Sequence, residues 1–180
     1  MLDANKTALV LIDMQKSLWQ AMPEKERLLD NARRLLEGCK ALGVPVLWTE
    51  QIPEKLGPTL VTLGEVLAGY AAPTTKSSFS CCGAEEFMRQ LQASGRRQLL
   101  LCGVETHVCV HQTALDLLAA GHEVHLAADA VASRNATNHA IALQRMQQAG
   151  AQLTSVEMAL FEMLRDARHP KFRDILKLVK

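Results

Sequence analysis

Residues 99–121 read LLLCGVETHVCVHQTALDLLAAG, and the fold turns on how this stretch is read. It opens on Leu99, Leu100, Leu101 and Cys102, an apolar run with the length and character of a strand buried on both faces. Gly103 interrupts the run. From Val108 onward the apolar residues Ala114, Leu115, Leu118 and Ala119 recur at helical spacing, and Gly121 falls where a helix C-cap belongs. A strand, a short loop and a helix place Cys109 close to a first helical turn. Free backbone N–H groups and the helix dipole favour an anion there, so this thiol is expected to ionise more readily than a free one. That is a workable nucleophile position. The competing reading is a buried, inert cysteine, because cysteine is among the residues most often buried.

Working outward, residues 7–12 (TALVLI) read as a first buried strand that stops at Asp13. A carboxylate at the carboxyl end of such a strand lies where open α/β sheets hold their ligands; the plainer reading is a helix N-cap. Residues 26–42 carry the pattern of an amphipathic helix, and 44–48 that of a second strand followed by a polar loop over 49–57. A helix over 59–69 and a short strand over 71–75 lead to Lys76. Cys81 and Cys82 read as two free thiols in an open loop, since vicinal cysteines bridge each other only with strain. Further on come a helix over 84–93, a strand over 123–127 with Asp129 at its end, a helix over 136–148 and a strand over 151–154. Ser155 is expected to open a capping box into the apolar segment 156–164, and 171–179 form a terminal helix.

Strands alternating with helices at this spacing imply βαβ units and a mostly parallel sheet covered on both faces. The expected class is therefore α/β, a three-layer α/β/α arrangement in one domain spanning residues 1–180. Right-handed crossovers bring the carboxyl ends of all strands to one edge. Asp13, Lys76 and Cys109 each follow a strand, so a carboxylate, an amine and a thiol are expected in one crevice, a nucleophile set.

Composition narrows the classes. Twenty basic against nineteen acidic residues leave a net charge of +1, too little to gather nucleic acid or an anionic membrane. Aromatic residues at 4% leave little material for base stacking. Five cysteines, an odd number without a regular framework, point to reduced thiols and a cytoplasmic location. No apolar stretch reaches membrane-spanning length.

Taken together, LIDMQ (11–15), Lys76 with Phe79, GVETHVCVHQTALDLLAAGHEV (103–124) and Asp129-Ala130 resemble the isochorismatase-like cysteine hydrolases over nearly the whole chain. TEQ (49–51), LGPT (56–59), KSSFS (76–80), Ser133-Arg134 and DARHPKF (166–172) resemble most the branch called isochorismatase domain-containing proteins. The resemblance implies a six-stranded parallel sheet and a catalytic triad of Asp13, Lys76 and Cys109. It implies backbone N–H groups of Glu105 and Cys109 as an oxyanion hole, and a cis peptide at Val104–Glu105. The implied activity is cleavage of an amide or carbamoyl-type C–N bond in a small molecule through a Cys109 thioester. Gln15, Leu18, Trp19, Glu50, Gln51, Phe79, Val104 and His107 are candidates to line the pocket, and self-association as a homo-oligomer is implied.

The departures from the family pattern carry information. The region WTEQIPEKLGP (48–58) has none of the histidines with which nicotinamidases bind a metal, so neither a metal nor any other cofactor is expected. His107, Cys109 and His111 form an H-x-C-x-H cluster, but residues two apart on a helix face different ways and do not share a metal ion. Isochorismatase proper lacks the cysteine, so Cys109 argues against that reaction. Glu105 reads either as a second acid/base group or, more plainly, as a side chain turned outward while its backbone acts. The apolar segment 156–164 offers a face for self-association. The alternative to an enzyme is a binding or scaffold protein that keeps the hydrolase fold.

Overall fold

A computed structural model describes residues 1–180. The chain alternates strands and helices: β1 (Thr7–Ile12), α1 (Lys16–Trp19), α2 (Lys25–Ala41), β2 (Val46–Gln51), α3 (Pro53–Leu56), α4 (Val61–Leu67) and β3 (Pro73–Lys76) come first. Then follow α5 (Glu85–Ser94), β4 (Gln98–Val104), α6 (His111–Ala119), β5 (Glu123–Ala132), α7 (Ala136–Gln148), β6 (Gln152–Thr154), α8 (Val156–Leu164) and α9 (Phe172–Val179). The six strands form one parallel sheet in the order β3-β2-β1-β4-β5-β6. The chain lays down β1 to β3 in one direction and then returns to place β4 on the other side of β1. The switch between β1 and β4 opens a crevice at their carboxyl ends, the place where such sheets bind ligands.

The apolar runs split between two faces with the strand period of two. In β1, Leu9 and Leu11 enter the core under α2, α8 and α9, while Ala8, Val10 and Ile12 enter the core under α5, α6 and α7. Burial on both faces explains why β1 and β4 read as continuous apolar runs rather than as alternation. Gly103 sits where β4 meets β1, with φ +119, and a Cβ there would run into the Ile12 carbonyl oxygen. The register of β4 on β5 also shifts between Leu101 and Gly103. Only glycine fits this close approach, shortly before the turn that carries Cys109.

Several expectations are corrected here. TEQ (49–51) belongs to β2, not to the loop after it, because Thr49, Glu50 and Gln51 pair with Thr74, Thr75 and Lys76 of β3. Polar residues read as loop, but these are strand residues whose side chains find partners across the sheet. Asp129 lies inside β5, which runs on to Ala132 past its bulge. Ser155 caps α8 by accepting from the Met158 N–H at 3.2 Å, yet a methionine at that position cannot return the reciprocal bond of a capping box. The apolar residues Val156, Ala159, Leu160, Met163 and Leu164 are consumed by the chain's own core, and Met158 alone of the segment's large apolar side chains stands well exposed. No helix is long and apolar enough to cross a membrane.

Candidate active site

The end of β1 turns sharply. Asp13 has φ 50, the left-handed region, and it caps no helix. Aspartate tolerates this conformation better than most residues. The turn drops its carboxylate to the crevice floor, where Oδ1 accepts from Thr49 Oγ1 at 2.9 Å and Oδ2 accepts from Lys76 Nζ at 2.7 Å. Both side chains of the Asp13–Lys76 ion pair are 0% exposed. Lys76, at the end of β3, reaches across β2 to make this pair. Its ammonium also donates to Gln51 Oε1 at 2.6 Å and to the carbonyls of Phe79 and Ser78 at 3.1 and 3.2 Å. Every partner is an acceptor, which suits a group with three donors and no lone pair. Gln51 is oriented in turn by donating from Nε2 to the Ser77 carbonyl at 2.8 Å.

β4 ends at Val104, the Val104–Glu105 peptide is cis, and residues Thr106–Val110 make a π-turn before α6 begins at His111. Cys109 lies on that turn, 5% exposed. Burial pushes its thiol up to about 12, the Asp13 charge adds to the effect, and Lys76 works against it. The expectation of an easily ionised thiol is therefore overturned. The helix terminus does not outweigh desolvation and a neighbouring carboxylate. Burial and the neighbouring Asp13 carboxylate both favour the neutral thiol. Asp13, Lys76 and Cys109 are brought together as expected, at one edge of one sheet.

The other named residues separate into groups. Gln15 is fully buried and clamps β2: its Oε1 accepts from the Gln51 N–H at 2.8 Å, and its Nε2 donates to the Gln51 and Gly57 carbonyls at 3.0 and 2.6 Å. Glu50 accepts from the Thr59 N–H at 2.7 Å, and Trp19 donates from Nε1 to the Lys25 carbonyl at 2.7 Å. Leu18 and Trp19 pack on the core beneath α2, and Val104 is wholly buried. Phe79 is 54% exposed. No group of three or more His, Cys, Asp or Glu side chains is arranged to hold a metal ion. Cys81, expected in an open loop, is buried beside Thr49, with 3.7 Å between Sγ and the Thr49 Oγ1; Cys82 is half-buried.

Glu105 contradicts its expected outward pose. Its side chain is buried and held by Arg134, whose Nη1 donates to Oε1 at 2.8 Å and whose N–H donates to Oε2 at 2.9 Å. The next two residues are tied to the same segment. Thr106 Oγ1 lies 3.0 Å from His139 Nδ1, and the His107 N–H donates to Ser133 Oγ at 3.3 Å. Sequence reasoning assigned no role to Thr49, Ser133, Arg134 or His139. Ser133-Arg134 stood out only as a motif of the branch.

An isochorismatase domain model matches residues 7–158. The chain belongs to the isochorismatase family. It is 40% identical over 179 residues to isochorismatase domain-containing protein 2 of Danio rerio, covering 99% of this chain and 89% of that protein. Among solved structures, a MAR1 ribonuclease from Caenorhabditis elegans superposes with a TM-score of 0.94 at 35% identity, covering 99% of this chain and 91% of that one. The octameric hydrolase of unknown specificity YcaC from Escherichia coli gives a TM-score of 0.89 at 27% identity, covering 98% and 94%. Membership in this family supports hydrolase activity of the cysteine-hydrolase type.

Proposed function

We propose that this chain is a cysteine hydrolase that cleaves an amide or carbamoyl-type C–N bond of a small molecule. The observation that carries this reading is the buried Asp13–Lys76 pair set against the Cys109 thiol at the sheet's switch point. Asp13 takes the thiol proton as Cys109 Sγ attacks the carbonyl carbon, and the carbonyl oxygen becomes an oxyanion. The N–H groups of Glu105 and Cys109 stabilise that oxyanion, an effect worth about 3–4 kcal/mol per donor in acyl transfer. Collapse breaks the C–N bond, the leaving nitrogen takes the proton from Asp13, and an acyl-thioester remains on Cys109. Water, deprotonated by Asp13, then releases the acid and restores the thiol. Lys76 keeps Asp13 oriented throughout and balances its charge.

A polyanionic RNA is a poor fit for a chain of net charge +1 in which Asp13, Lys76 and Cys109 are all buried, so the substrate of this reading is small. The reading includes a homo-oligomer, in line with the octameric neighbour, and a cytoplasmic location, in line with five unpaired thiols. A panel of small amides, ureides and carbamoyl compounds, assayed with wild type and Cys109→Ala, tests the activity. Turnover by wild type that vanishes in Cys109→Ala is expected. Turnover that survives the substitution overturns the mechanism. No turnover, together with no acyl group on Cys109, supports the scaffold reading. Light scattering at micromolar concentration tests the oligomer, and a monomer speaks against it.

A further inference from the structure

We infer that Arg134 is a positioning residue that sets the backbone N–H of Glu105, the first oxyanion donor, by gripping the Glu105 side chain. The inference rests on the hydrolase reading above and names the device that holds one part of it in place.

Glu105 is fixed from three directions. Both carboxylate oxygens are bound by Arg134, one through the guanidinium and one through the main chain. The Glu105 carbonyl accepts from the Val108 and Val110 N–H groups at 3.0 and 3.3 Å. Its own N–H donates to no backbone carbonyl, which leaves it available to a ligand. An oxyanion donor acts through placement before the reaction begins, and small misplacements of such groups cost large factors in rate. The Arg134 side chain is 64% exposed while that of Glu105 is 7% exposed, so the grip closes from the surface onto a buried group. The same short segment holds the following residues, Thr106 through His139 and His107 through Ser133. The nucleophile turn thus leans on residues 133–139, the β5–α7 connection and the first turn of α7, whereas the base and the lysine lean on β2.

Two reagents separate placement of the donor from activation of the sulfur. Iodoacetamide alkylates Cys109 by direct displacement and forms no oxyanion. p-Nitrophenyl acetate acylates it through one. Peptide mapping follows both adducts at Cys109. In Arg134→Ala, acylation is expected to fall about 10- to 100-fold, less than the roughly 100- to 1,000-fold that outright loss of an oxyanion donor costs, while alkylation stays within about twofold of wild type. Arg134→Lys, which keeps one donor toward Oε1, is expected to recover part of the loss. In a Glu105→Gln background, Arg134→Ala is expected to add little, because the two act through one contact. A full additional loss in that background overturns the positioning role and indicates that Arg134 touches the substrate directly. Parallel loss of alkylation and acylation, or no loss of either, also overturns it. The hydrolase reading fails separately, when wild-type Cys109 takes iodoacetamide but never an acyl group.

Discussion

Two ion pairs flank Cys109, and they are built differently. Asp13–Lys76 lies wholly inside, with both side chains at 0% exposure, a donor on each carboxylate oxygen and further acceptors around the ammonium. Glu105–Arg134 joins a buried carboxylate to a guanidinium that stands 64% exposed. The first pair comes from the ends of β1 and β3 and is steadied by Thr49 and Gln51 of β2; the second ties the start of the turn that carries Cys109 to the β5–α7 connection. A buried pair contributes little net stability when intact, yet is expensive to break, because the surviving charge cannot reach water. A half-exposed pair can be broken cheaply, since water replaces the lost partner. In the proposed mechanism the contrast divides the labour: the inner pair is assigned proton transfer and charge, and the outer one geometry at small energetic stake.

The sharpest way to break this comparison is Lys76→Met. It is expected to cost about 3–5 kcal/mol in denaturant unfolding and to abolish turnover, because Asp13 is left buried and unpaired. A cost below about 1 kcal/mol means the pair is hydrated and the comparison fails. Next in size is Asp13→Asn. The Asp13 charge holds the Cys109 thiol up, so its loss lowers that thiol's pKa from about 12 and raises the thiolate fraction at a given pH. Alkylation of Cys109 near pH 8 is therefore expected to speed by tenfold or more while hydrolysis disappears with the base. In wild type the same reaction keeps rising through pH 10 without a plateau. Half-buried Cys82 provides the internal reference, expected to be indifferent to both substitutions.

On the outer side the effects shrink. Arg134→Ala is expected to cost no more than about 1 kcal/mol in stability, because the Arg134 N–H still holds one Glu105 oxygen. The smallest effect is with acid. Burial lowers His111, His125 and His139 from the ordinary histidine value, so the unfolded chain binds more protons than the folded one below about pH 6.5. Stability then falls as pH drops from 6.5 through the lowered values, and a thermal midpoint a few degrees lower at pH 5.5 than at 7.5 is expected. His139→Gln, which can still bond Thr106, is expected to remove part of that drop.

Much of this was legible in the chain. The apolar runs at 7–12 and 99–102, the helical spacing after Val108 and the glycine punctuation specify a parallel sheet and its order along the sequence. The resemblance, carried by motifs in a fixed order, picked out Asp13, Lys76 and Cys109, and the fold gathers them as the βαβ rule requires. Local pattern could do this because burial on two faces and ends of strands leave direct marks on composition.

What the sequence by itself determined was therefore the sheet, its layers and the meeting of Asp13, Lys76 and Cys109 at one edge of it. Tertiary structure alone decided the state of those groups and their supports. Whether Cys109 is a thiolate depends on desolvation and on Asp13, and both are known only once the chain has closed around the sulfur. TEQ reads as loop and is strand, because its polar side chains are satisfied by β3 and by residues distant in sequence. Glu105 and Arg134 are 29 residues apart, and nothing local links them. Local spacing encodes which face a residue takes; partners, charge and exposure arise from contacts between distant segments, and only the folded chain makes those.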